Sequence, residues 1–440
     1  EDDILLQMTD GFEPEITVNM GNLPPYERGD HVWFKTSITG PTKWNDDAHG
    51  NDIPALYYYD PYRKYQMMMF FNMTAMTWMS RKNIARFLNY RCRHRRVYGE
   101  ADIMQVGLMA DGFSGKVFPK GKQTIEYCIK ANAVHSPITE QDAVSVLVDE
   151  CLKLLPARQE WHPDATSWKE FSDGCANELL DENSCWSKVN GIEFLMAYYD
   201  AVSPAWHEAM EARNARISFY EAFDFCVTVW VLYPLLLLER NDKNSAYSAL
   251  SSKLMGTVKY LINNWDKHKL YTSESMGTWQ YTSMLHDLFK VGEISNFTPA
   301  IDRVIKEVEE ILLPFSERVS YLFPLSFNTI TLKKAGNGEN YAIAGMFAHL
   351  MLLLYDYTGE DKYLNSAKSA INVLYNLPVN SILQESFLIP YGVQASLRLY
   401  SIYKDEKYLS IAKYLLSQNL RLAYWYNDKT KDTFNHYNLL

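Results

Sequence analysis

The sequence predicts a mainly α-helical protein carrying an antiparallel β domain on its N-terminal side. Three observations support this: a hairpin pattern that repeats at an offset of 45 residues near the C-terminus, a run of short strands and turns between residues 31 and 130, and a capped helix followed by a Pro- and Trp-containing link. They divide the chain into a β-sandwich-like domain (1–135), a helix and linker (136–168) and an array of helical hairpins (169–440).

The strands expected are His31–Ile38, Ala55–Tyr59, Tyr65–Phe71, Ile84–Tyr98, Ile103–Met109 and Gln123–Lys130. Gly40-Pro41, Asp60-Pro61, Asp111-Gly112 and Pro119-Lys120-Gly121 separate them, the punctuation of an antiparallel sheet. In the last strand Ile125, Tyr127 and Ile129 alternate with polar residues, so that row is expected to face the core. Thr139 with Asp142 three residues on is a capping signal for a helix that Pro156 ends.

The repeat is the strongest internal signal. Leu354-Tyr355 matches Leu399-Tyr400, Lys362-Tyr363-Leu364 matches Lys407-Tyr408-Leu409, and Ala367-Lys368 matches Ala412-Lys413. Within the first copy Ile343, Met346, Phe347, Leu350, Met351 and Leu354 form a helical stripe. A polar turn at Thr358–Asp361 follows, and Leu364, Ala367, Ile371 and Leu374 make the answering stripe. Residues Val227 to Asn263 are a looser copy. A hairpin with one apolar face cannot bury it alone, so such periods indicate stacked solenoids or closed arrays.

Composition narrows the functional classes. The chain has 440 residues, 47% hydrophobic and 22% charged, which is ordinary globular composition. A net charge of -10 argues against a general nucleic-acid binder, since phosphate neutralisation needs a basic surface. The most apolar run, Val227–Leu238, is too short to span a bilayer and contains Pro234, so it reads as a buried helix and no membrane partner is expected. The first residues carry no signal-peptide pattern and are uninformative about export. Six cysteines without CxxC or zinc spacing read as buried free thiols, with a Cys175–Cys185 bridge as the alternative in an oxidising compartment.

The segment 352–364, Leu-Leu-Leu-Tyr-Asp-Tyr-Thr-Gly-Glu-Asp-Lys-Tyr-Leu, and its echo at 397–409 resemble the α/α-toroid carbohydrate-active enzymes, a group of glycoside hydrolases, phosphorylases, epimerases and polysaccharide lyases. The resemblance covers roughly residues 170 to 426. It implies an α/α-toroid accompanied by a β-sandwich-like domain, with an oligo- or polysaccharide as partner; the hairpins visible are too few to close a six-hairpin ring, so either the toroid is incomplete or the sequence is a fragment. It transfers no catalytic motif residue by residue.

Sugars present polar edges and apolar C–H faces, so their sites pair aromatics with carboxylates, amides and imidazoles. Aromatics make up 14% of this chain, with eleven Trp. The first candidate segment is Trp44 to Asp52, where Trp44, Asp46, Asp47 and His49 share a loop; a solvated turn is the plain alternative, and the same carboxylates are of the type that hold a structural Ca²⁺. No other cofactor or metal is expected. The second is Glu274 to Asp287, with Trp279, Tyr281 and His286 at a loop-to-helix junction. The third is Asn340 with Tyr341 before a helix, and Glu385 with Tyr391 hold the equivalent place one repeat later; helix capping is the plain alternative for both. Arg93 stands between Arg91 and Arg95 on one strand face, suited to an acidic sugar or to guarding a sheet edge.

Three functions compete. A glycoside hydrolase needs two carboxyl groups across the scissile bond, and Asp46, Asp47, Glu274, Asp287 and Glu385 are candidates. A polysaccharide lyase needs a base and a group neutralising a uronate, for which Tyr281, His286, Asn340 and Tyr341 are suited. A non-catalytic helical-repeat scaffold would instead spread its contacts over a broad concave surface. The carboxylate-rich loop places hydrolysis first.

Overall fold

The computed structural model describes residues 15–22, 32–34, 55–60, 64–71, 88–96, 102–110, 127–136, 138–154, 167–181, 186–189, 192–195, 217–242, 244–268, 271–382 and 386–421. The chain divides into two compact units, one of residues 1–161, 378–383 and 409–440, the other of residues 162–377 and 384–408.

The first unit carries two antiparallel sheets. One has the order β1-β6-β5, with β1 at Glu15–Asn22, β5 at Leu88–Arg96 and β6 at Asp102–Ala110. The other has the order β2-β3-β4-β7, with β2 at Val32–Phe34, β3 at Ala55–Asp60, β4 at Tyr65–Phe71 and β7 at Tyr127–Ala133. The hairpin β3–β4 falls where the turn at Asp60-Pro61 placed it. Strand β1 was not anticipated, although Ile16, Val18 and Met20 alternate in the same period of two.

The face expected to be buried on β7 is corrected. Ile129 is 42% exposed, while Met68, which lies on the same face as its cross-strand partner Lys130, is buried. The reason is tertiary. Helix α1 (Glu140–Leu154) lies on that other face, setting the Cys151 sulfur 3.8 Å from the Met68 sulfur and bringing Glu150 to Lys130. Burial pushes the Cys151 thiol well above its usual range, which makes it a packing residue. The cap of α1 is as the sequence predicted: the Asp142 amide donates to Thr139 Oγ1 at 3.1 Å and the Thr139 amide to Asp142 Oδ2 at 3.3 Å.

The second unit is built of helices. After α2 (Trp168–Asp181) and the short hairpin β8–β9 (Trp186–Val189, Ile192–Leu195) come the pairs α3 (Ile217–Asn241) with α4 (Ser245–Asn263) and α5 (Thr278–Ser295) with α6 (Thr298–Glu307). Next come α7 (Ile343–Thr358) with α8 (Asp361–Tyr375), and then α9 (Ile389–Tyr403); α10 (Glu406–Leu420) follows, and its residues from Leu409 on belong to the first unit. Helices α7 and α8 form the hairpin predicted for the first copy, and the second copy is again two helices, α9 and α10. Gly359 closes α7 in a left-handed conformation, and Lys404, 45 residues on, closes α9 the same way. Glycine adopts that conformation freely, whereas Lys404 does so at a cost of roughly 1–2 kcal/mol.

Helices α3, α5, α7 and α9 pack side by side as one wall. They run parallel, since His286 of α5 meets His349 of α7 and, further along both, Phe289 meets Tyr357; likewise Gly345 meets Gly392 and Asp356 meets Arg398. Helix α7 is buried along most of its length because it has this wall on both sides and α8 behind it. Helix α6 passes through a π turn, Val308–Leu312, where the Leu313 amide bonds the Val308 carbonyl; the next residue, Pro314, has no amide to restore the regular ladder. A small sheet, β10-β11-β12 (Met276–Gly277, Ser326–Asn328, Lys333–Lys334), borders the N-terminal end of α5.

Among the described residues no helix is long and apolar enough to cross a membrane. Cys175, offered above for a bridge to Cys185, is free and exposed.

Candidate active site

The parallel wall brings chemistry-bearing side chains to one strip. On α5, His286 Nδ1 lies 2.7 Å from Asp287 Oδ1, and His286 Nε2 lies 2.8 Å from His349 Nδ1 of α7. Tyr391, at the start of α9, sets its ring 5.0 Å from that of His286 and 5.8 Å from that of His349. Two turns earlier on α5, Trp279 stacks on Trp230 of α3 at 5.4 Å and meets Phe387 edge to face at 5.6 Å. The eight steps from Trp279 to Asp287 span about 12 Å of helix.

Burial grades this strip. His286 is enclosed, the Asp287 side chain keeps 12% of its surface, Trp230, Tyr233, Trp279 and Tyr391 are half-buried, and Phe387 is exposed. Burial, reinforced by the Asp287 charge, pushes Tyr391 up to about 12. Tyr233 of α3 is raised by the same two causes. Burial, with Lys290 adding to it, pulls His349 down to about 3, so its imidazole is neutral near pH 7.

That depressed value gives a stability prediction. An unfolded histidine titrates near 6.5, so His349 contributes stability that is present above pH 6.5 and lost as the pH falls toward 3. Urea midpoints between pH 7 and 4 should fall in the parent and fall less in His349→Asn. Parallel curves would remove His349 from the acid sensitivity.

The other sequence candidates are placed elsewhere. Tyr281 is fully buried and donates its hydroxyl to Glu307 Oε2 at 2.8 Å, in a cluster with Trp265, Asp266 and Arg303. Burial raises the Glu307 carboxyl. Asn340 is buried, with neither side-chain polar atom hydrogen-bonded among the described residues, and its backbone amide is bonded to the Phe323 carbonyl at 2.9 Å. The Tyr341 hydroxyl is raised by burial and by Glu339, which itself pairs with Lys334. Glu274 is exposed in the turn before β10. The structure therefore joins His286 to Tyr391 directly and sets Trp279 on the same strip, while no contact among the described residues ties Glu274, Tyr281, Asn340 or Tyr341 to Asp287. Trp44, Asp46, Asp47, His49 and Glu385 lie outside the described residues, as does the side chain of Arg93 on β5.

Trp230, Tyr233, His349 and Phe387 were missed. Trp230 and Tyr233 sit in the apolar run that reads as core, and His349 stands alone in an apolar helix. A lone polar residue inside such a stripe, here His349, is the signal that could have found it.

No family model and no curated protein sequence matches this chain. Solved structures similar to it include a glycoside hydrolase family 76 α-mannanase of Bacteroides thetaiotaomicron, 14% identical over 57% of this chain and 68% of that one, with a TM-score of 0.36. A family 76 mannosidase of the same species is 14% identical over 58% of this chain and 80% of that one, also at 0.36. A family 76 glycoside hydrolase from a bovine strain of that species is 10% identical over 82% and 96%, again at 0.36.

Proposed function

We propose that this chain is a carbohydrate-active enzyme, a glycoside hydrolase acting on a neutral oligo- or polysaccharide, with Asp287 as one of its two catalytic carboxylates. The observation that supports this reading is a partly accessible carboxylate, bonded to an imidazole, on a strip that also carries the aromatic group Trp230, Trp279 and Phe387. Aromatic faces take the C–H faces of sugar rings, and a carboxylate beside them supplies proton transfer or nucleophilic attack at the anomeric carbon. Glu385, two residues before Phe387 in the chain, is the partner carboxylate we propose. In this reading α3, α5, α7 and α9 are inner-wall helices of an α/α-toroid, α4, α6 and α8 are outer helices, and the sheets of residues 1–135 form a β-sandwich-like domain.

Elimination from a uronate is the second reading, and the electrostatics of the strip disfavour it. A lyase base of the tyrosine type is served by a lowered pKa, whereas Tyr391 is raised to about 12. A uronate carboxylate also needs a neutralising partner; His349 is held neutral, and Lys290 is engaged with Glu293 at 2.9 Å.

The test is incubation with α-mannan, glucans, xylan, alginate and pectin, reading new reducing ends and the ultraviolet absorbance of an unsaturated product. Reducing ends without absorbance are expected. Absorbance on alginate or pectin would make it a lyase, and neither signal would favour a binding scaffold.

A further inference from the structure

The contacts Asp287–His286–His349 form a chain of three groups with two short links, 2.7 and 2.8 Å. Each link needs one donor and one acceptor, and a neutral imidazole has one of each. The direction of the whole chain is therefore set by its end. An ionised Asp287 only accepts, so a neutral His286 bonded to it at 2.7 Å carries its proton on Nδ1. That leaves His286 Nε2 as an acceptor. His349 must then present Nδ1–H to it, and its own Nε2 is left unprotonated. The opposite arrangement, with both rings protonated on Nε2, is the one a free histidine side chain prefers, and here it would set two lone pairs against each other at Asp287.

We infer that His349 is a positioning residue: through Nδ1–H it holds His286 in its Nδ1–H tautomer, and His286 in turn holds Asp287 as an oriented carboxylate. The inference concerns the same strip as the proposed hydrolase and rests on that reading for its catalytic consequence, while the tautomers follow from the two short contacts with Asp287 ionised and both imidazoles neutral. Burial that keeps His349 neutral at pH 7 agrees with it, because a second proton on His349 would put a cation in an enclosed site beside Lys290. The groups that face the pair are Asp287 and Lys290 from α5, Tyr233 from α3 and Tyr391 from α9. Among the described residues the ring of His349 meets those of His286 and Tyr391, so its role runs through His286.

The experiment has two independent arms on the full chain. Nitrogen-15 chemical shifts of the imidazoles at pH 7 are expected to show Nδ1 protonated and Nε2 unprotonated for both His286 and His349. Either ring with its proton on Nε2 would overturn the inference, whatever the enzyme acts on. In the second arm, on whichever neutral polysaccharide the panel identifies, His349→Leu removes the donor and is expected to lower kcat roughly 10- to 100-fold with KM unchanged, the range seen when the group orienting a functional residue is lost. His349→Asn keeps an N–H near the Nδ1 position and is expected to recover most of the activity. Equal loss in Leu and Asn variants would overturn the positioning role. Should the shifts be as expected while no polysaccharide is cleaved, the relay stands and the hydrolase reading falls.

Discussion

Asp287→Asn is expected to lower turnover of a neutral polysaccharide by about 10² to 10⁴, the range lost with a catalytic acid or base. Asparagine has the same shape, and its carbonyl oxygen still accepts from His286 Nδ1–H, so α5 should keep its packing and the melting temperature should change little. What disappears is the charge and the capacity to take up and release a proton. A second readout separates the charge from the chemistry. Tyr391 is raised chiefly by burial and secondarily by Asp287, so in the variant its alkaline titration, followed by ultraviolet absorbance, should move down from about 12 toward the usual tyrosine range. Full activity in Asp287→Asn would remove this residue from catalysis, and an unshifted Tyr391 would remove it from the strip.

Gly345→Ala is expected to be the most damaging single methyl group in the helical wall. A Cβ built on Gly345 of α7 would lie 2.8 Å from both the Cα and the amide nitrogen of Gly392 on α9, a separation that real Cβ contacts do not show. The obstacle is backbone, so no rotamer change relieves it; the two helices must move apart, and interiors packed near crystalline density resist this. Overpacking of this kind typically costs 1–3 kcal/mol. Replacing a helical glycine by alanine should by itself return about 1 kcal/mol. The net expectation is a loss of up to about 2 kcal/mol, and because His349 lies one turn further along α7, a weakened relay as well. Gly256→Ala, on α4 with nothing near its Cβ, is the control and should be neutral or stabilising. If the two variants melted together, the close crossing of α7 and α9 would be wrong.

The helical half of the fold was legible because its information is local. Stripes at three and four residues, polar turns and an echo 45 residues on lie within the reach of one hairpin, and the Thr139–Asp142 cap is a pattern of four residues. The β sheets were legible as strands, but the buried face of β7 was not. Alternation shows that Ile129 and Lys130 face opposite ways, yet only the position of α1 decides which row is covered, and a lysine paired with Glu150 can line the covered side. The site was half legible. His286, Trp279 and Tyr391 carried visible chemistry at helix starts and junctions, whereas Trp230, Tyr233 and His349 were hidden inside apolar runs that look like core.

By itself, then, the sequence determined that residues 343–375 fold as a helical hairpin and that 389–420 repeat its two helices, since periodicity and turn chemistry leave each helix one apolar face to bury. Only the tertiary structure decided which helices stand side by side in the wall. With that order came the meeting of His286 with His349, of Trp279 with Trp230, and the withdrawal of Tyr281 to Glu307. The reason is physical: an apolar stripe specifies that a face will be covered and not by whom, while the histidine pair exists only because two side chains 63 residues apart come within 2.8 Å.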